Sequence, residues 1–117
     1  MPVRIIVCGG RHFNDKRAVY RVLDHIHTYR SIKEIIQGDC PTGADRWARE
    51  WALECGQLMT RCPVGGTKNG RYAEQIRTQQ MLEMKPDGVV AFPGQGEYMN
   101  LIAGARAAGV PVYQPYK

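Results

Sequence analysis

The run Val3–Cys8 (VRIIVC), followed at once by Gly9-Gly10, constrains this chain more than any other feature. Apolar residues occupy both odd and even positions, so a strand built from it has no solvent face. Such strands belong to parallel sheets, which helical crossovers cover on both sides. A second run of the same kind, residues 88–92 (GVVAF), runs into Pro93-Gly94-Gln95-Gly96. Weaker strand signals lie at residues 34–37, ended by Gly38, and at 57–62 and 110–114.

Helical spacing fills the intervals. Residues 15–29 carry Val19, Val22, Leu23 and Ile26 on one face. Ala44, Trp47, Ala48, Trp51, Ala52 and Cys55 form an unbroken stripe up to Gly56, a natural helix stop. Residues 71–84 place Ala73, Ile76, Gln80 and Met84 on one side before Pro86, and residues 97–108 end at Gly109. The alternation β-α-β-α-β-α-β-α-β defines an α/β, Rossmann-like three-layer sandwich. Right-handed crossovers with helices on both faces favour a five-stranded parallel sheet in the order 3-2-1-4-5.

A chain of 117 residues fits one domain, residues 1–117, and can bury roughly two-thirds of its unfolded surface. No apolar run approaches the ~20 residues of a membrane span, and residues 1–11 do not resemble a signal peptide, so a cytoplasmic location is expected. Cys8, Cys40, Cys55 and Cys62 lack metal-ligand spacing, so reduced thiols and no metal are expected. The net charge of +5 points to an anionic partner, but the basic residues are spread along the chain with no polybasic block.

In the order 3-2-1-4-5 the first and fourth strands are neighbours whose connections leave in opposite directions. The crevice at their C-terminal ends is where open α/β sheets bind ligands. The loops meeting there are Gly9-Gly10-Arg11 and Pro93-Gly94-Gln95-Gly96. Glycines let backbone approach a ligand oxygen closely, and helix starts at Gly43-Ala44 and Gly96-Glu97 add unpaired N–H groups.

Several residues carry two readings. Asp45 fits a capping box with Thr42, or could accept hydrogen bonds from ribose hydroxyls. Trp47 and Trp51 read as core. His25 and His27 do not share a helix face and make a poor metal pair. His12 follows Arg11 and is a weak acid–base candidate.

The blocks Cys8-Gly9-Gly10-Arg11…Asp15, Gly38…Gly43-Ala44-Asp45…Ala48…Trp51-Ala52, Gly70-Arg71…Ala73…Arg77 and Ala91-Phe92-Pro93-Gly94 resemble the YAcAr family. That family belongs to the SLOG superfamily of Rossmann-like domains, related to the Lonely Guy phosphoribohydrolases and the DNA-processing protein A fold. The resemblance spans essentially the whole chain and implies a nucleotide or nucleotide-derived ligand. It implies that Gly9, Gly10 and Arg11 line the first loop, that Gly43 and Asp45 meet phosphate and ribose, and that Arg77 faces the ligand from the third helix. Gly94 and Gly96 match the second glycine loop.

The departures fall on ligand-facing segments. Ala73-Glu74-Gln75-Ile76-Arg77-Thr78 stands where the family commonly has Ala-Gly-Pro-x-Arg-Asn, and Pro93-Gly94-Gln95-Gly96-Glu97-Tyr98 where it has Pro-Gly-Gly-x-Gly-Thr. An aromatic usual before Gly70 is missing. The phosphoribohydrolases place a glutamate four residues beyond the last motif glycine. Leu101 or Asn100 stands there, with Glu97 nearby but off register.

Glycosidic cleavage needs a carboxylate near the developing oxocarbenium ion. The leading expectation is therefore binding or sensing of a nucleotide-derived small molecule, without a cofactor and without a membrane partner. The alternative is a nucleoside-monophosphate phosphoribohydrolase, with Arg77 on phosphate and Glu97 as the catalytic carboxylate. A third reading is a nucleic-acid-binding domain, which fits the basic balance but lacks surface aromatics interleaved with the charges. Homo-oligomerisation is left open.

Overall fold

A computed structural model describes residues 2–10, 13–37, 43–61, 73–93 and 98–115, with the side chains of 61, 73–77 and 98–100 outside that description. The strands are β1 (Val3–Cys8), β2 (Ile32–Gln37), β3 (Leu58–Arg61), β4 (Gly88–Ala91) and β5 (Val112–Tyr113). The helices are α1 (Lys16–Tyr29), α2 (Gly43–Cys55), α3 (Ala73–Glu83) and α4 (Tyr98–Ala107). All strand pairs are parallel, in the order β3-β2-β1-β4-β5. The α/β class and strand order expected from the sequence are those observed.

The period-two geometry of β1 divides its residues between two cores. Val3, Ile5 and Val7 face α1 and α2, packing with Val19, Leu23, Ala48, Trp51 and Phe92. Ile6 and Cys8 face the other way, with Met81, Leu101, Ile102 and Ala105 of α3 and α4. Arg4 apart, both faces of β1 are thus buried, as its nearly continuous apolar run requires.

Helix α1 begins where Asp15, its N-cap, accepts from the Ala18 N–H at 3.1 Å. Helix α2 lies beside it on the same sheet face. Across this seam Trp51 Nε1 donates to Asp24 Oδ1 at 2.8 Å, which satisfies the one polar atom of a nearly inaccessible indole. His27 packs edge-on against Trp51, and its Nδ1 accepts from the Ile32 N–H at 2.9 Å, tying the end of α1 to the start of β2.

Three expectations need correction. Strand β2 starts at Ile32 rather than residue 34. Ile32 is buried opposite Val3, but the register shifts just after, and Lys33 turns out to solvent there, which breaks the apolar pattern in the sequence. Among the described side chains of α3 Met81 is buried and Gln80 is exposed. This helix packs on α4, where a Cβ on Gly104 would lie 3.1 Å from Leu82 Cδ1, so its inner face is set by the neighbouring helix. Strand β5 is two residues long, an edge strand pairing with β4 through Val112 and Tyr113. Among the described residues no helix is long and apolar enough to cross a membrane.

Candidate functional site

The C-terminal ends of β1 and β4 are joined beyond their last paired residues. The Phe92 N–H donates to the Cys8 carbonyl oxygen at 2.9 Å, and the Gly10 N–H donates to the Pro93 carbonyl oxygen at 3.1 Å. The chain leaving β4 therefore enters Gly94 from a position bonded to Gly10. The two glycine-punctuated strand ends converge as expected at the point where the sheet's connections diverge.

Gly9 has a steric function at this junction. A Cβ there would stand 2.9 Å from Phe92 Cβ and 3.1 Å from both Phe92 O and Ala44 Cβ. Two of these atoms belong to the end of β4 and the third to the first turn of α2. The missing side chain lets β1, β4 and the α2 N-terminus meet. Gly10 is buried and its N–H is already committed to Pro93, so it contributes close approach rather than a donor.

Gly43 has φ +73°, a left-handed conformation that glycine adopts without the Cβ penalty, as the chain enters α2. Asp45, in the first turn, is buried. Its backbone carbonyl accepts from Gln37 Nε2 at 3.3 Å. Gln37, the last residue of β2, is fully buried, and the same nitrogen lies 3.3 Å from Met59 Sδ. A buried amide must find partners, so Gln37 ties the α2 start to the sheet edge. No motif in the sequence singles out Gln37. Its signal was a glutamine closing an otherwise apolar strand, just before Gly38.

A second missed feature is aromatic. Phe13 stacks on Phe92, with ring centroids 5.3 Å apart, and its N–H donates to the Gly10 carbonyl oxygen at 3.0 Å. The pair places an apolar floor beside the junction. Trp47, expected as core alongside Trp51, is only half-buried. The Arg46 guanidinium lies 4.5 Å from the Trp47 ring, and Lys16 Nζ lies 5.7 Å from it.

Gly9, Gly10, Gly43 and Asp45 thus lie around one junction. Arg77 lies on α3, its side chain outside the described residues, as are Arg11, His12, Thr42, Gly94, Gly96 and Glu97. Among the described residues no group of three or more His, Cys, Asp or Glu side chains could hold a metal ion.

A parallel sheet of this order, with Gly9, Gly10 and the start of α2 at the C-terminal ends of β1 and β4, defines a Rossmann-like domain with its candidate site at the switch point. Residues 3–64 match the model of YAcAr, described as a YspA, cpYpsA-related SLOG family, and the chain belongs to that family. Membership fits a nucleotide-ligand-binding role in general, and the relationship to the Lonely Guy and DNA-processing protein A proteins is consistent with it. No curated protein and no solved structure matches the chain.

Proposed function

We propose that the protein binds a nucleotide or nucleotide-derived small molecule at the C-terminal ends of β1 and β4, and that it captures or senses this molecule without cleaving it. The observation that carries the reading is the junction itself: Gly9 lets the β1 end, the β4 end and the first turn of α2 close up at the switch point. In such crevices, helix starts supply N–H groups to phosphate, and a carboxylate in the following turn can accept from ribose hydroxyls. In this reading Gly43 and Asp45, at the start of α2, are assigned those two contacts, and Gly9, Gly10, Arg11, Gly94 and Gly96 the loop contacts. Arg77 is assigned to the ligand phosphate.

Binding is favoured over hydrolysis because neither Leu101 nor Asn100, the positions matching the phosphoribohydrolase glutamate, is a carboxylate, and Leu101 is buried. A buried leucine offers nothing to an oxocarbenium ion. The test is a thermal-shift screen against nucleoside monophosphates, cyclic dinucleotides and ADP-ribose derivatives, with free base measured in parallel. The expected outcome is a melting shift with one compound class and no base release from AMP, GMP or CMP. Base release that disappears in Glu97→Gln would establish the phosphoribohydrolase instead.

A further inference from the structure

We propose that the solvent face of the α1–α2 layer, over its N-terminal half, is a contact surface for the phosphate backbone of nucleic acid. Among the described side chains, exposed cations gather at one place. Lys16, Arg17 and Arg21 of α1 are exposed, as is Arg46 of α2. Lys16 reaches across the seam to Trp47, so the starts of the two helices are level and their cations form one surface. Arg17 and Arg21 stand one helical turn apart, roughly 6 Å along the axis.

The carboxylates on this half of the layer are occupied. Asp15 caps α1, Asp45 is buried, Glu50 Oε2 lies 3.6 Å from Arg46 Nε, and Glu54, further along α2, faces the Tyr20 hydroxyl. Among the described residues, Lys16, Arg17 and Arg21 have no carboxylate within ion-pair distance. Among the described side chains of the opposite layer, Lys85 and Arg106 stand against Glu83 and Asp87. Exposed cations without a carboxylate in ion-pair distance give this surface a local positive field, and extended polyanions are drawn to such a field.

The cations are also held in place. Lys16 Nζ lies 5.1 Å from the Tyr20 ring centroid and 5.7 Å from that of Trp47, and Arg46 stacks at 4.5 Å on Trp47. Tyr20 and Trp47 thus interleave aromatic rings with the charges, a pattern the sequence conceals because Trp47 also fits the core stripe of α2. A membrane surface fits less well, since interfacial helices insert exposed Trp, Phe or Leu. Here the two rings are half-buried, and the exposed large apolar residues, Tyr29, Leu53, Leu58 and Tyr113, lie elsewhere.

The experiment is fluorescence anisotropy with a labelled mixed-sequence DNA single strand, longer than the ~4–16 nucleotides such surfaces cover. Titrations at several salt concentrations compare wild type, Lys16→Gln/Arg17→Gln/Arg21→Gln, and the control Lys33→Gln/Lys85→Gln/Arg106→Gln, which removes equal charge from other exposed positions. The α1 variant is expected to lose affinity about tenfold or more at low salt, and its log–log salt slope to fall by about 2. The control is expected to stay close to wild type. If removing Lys16 disturbs the Trp47 seam, seen as a lower melting temperature, Arg17→Gln/Arg21→Gln serves as the test, since neither residue touches a ring. No binding by wild type at low salt, equal losses in both variants, or an unchanged α1 variant would each overturn the proposal.

Discussion

Gly9 and Phe92 meet so closely that a Cβ on Gly9 would lie 2.9 Å from the Phe92 Cβ and 3.1 Å from the Phe92 carbonyl oxygen. The second of these neighbours is backbone and cannot rotate away. Gly9→Ala is therefore expected to push the β1 end off β4 and α2, at a cost of about 1–3 kcal/mol. A calorimetric melt checks it: a fall of several degrees is expected, and an unchanged melting temperature would mean that the junction has slack. In a stable preparation of the variant, the ligand-induced shift should also shrink, because the same displacement separates Gly10 from Pro93.

Gln37 offers a test of how the start of α2 is held. Gln37→Met keeps the volume but removes the donor to the Asp45 carbonyl, loosening the tie between β2 and the first turn of α2, and is expected to cost about 0.5–1.5 kcal/mol. Gln37→Glu should be worse at neutral pH, because it buries a charge. Burial raises a carboxyl's folded pKa above the unfolded value of about 4.3. Below that folded pKa the native state holds a proton that the unfolded state lacks, so the deficit should narrow as pH falls from 7 towards 4. Urea melts of the three proteins at several pH values measure this, and a deficit that widens on acidification would contradict the buried placement.

The bond between Trp51 Nε1 and Asp24 Oδ1 predicts an asymmetric mutant cycle. Asp24→Ala leaves the indole N–H of a buried ring without its acceptor and is expected to cost about 1–3 kcal/mol. In a Trp51→Phe background the same substitution should cost much less, since the donor is gone. Equal costs in the two backgrounds would show the bond contributes nothing to stability.

Arg77→Ala is expected to weaken ligand binding far more than folding. A charge-assisted contact to phosphate is worth about 1.5–3 kcal/mol, a tenfold to hundredfold change in affinity. With the best compound from the nucleotide screen, wild type should melt higher and the variant hardly move. A variant that keeps the full shift would remove Arg77 from the site. One that melts lower without ligand would point to a protein carboxylate, such as Glu74 or Asp39, as the partner.

The sequence by itself determined the class of fold. An apolar run with no polar face, as in Val3–Cys8, can only lie inside a doubly covered sheet, and the spacing from Val19 to Ile26 can only be a helix packed on one side. It also located the junction, because glycines after β1 and β4 mark where backbone must approach backbone. Other features depended on which element packs against which. Lys33 obscured the start of β2 because a register shift turns that residue outward, and Gln80 looked internal because the partner of α3 is α4. The pairing of Gln37 with Asp45 is a tertiary fact that neither residue announces.

Trp47 and Trp51 make the division clearest. They sit four residues apart on one helix and read identically in sequence, yet one is sealed against α1 with its N–H bonded to Asp24 while the other lies half-open under Lys16 and Arg46. Periodicity assigns a residue to a face of its helix. How deeply that face is covered depends on the angle and reach of the neighbouring helix, and only the tertiary structure decides that.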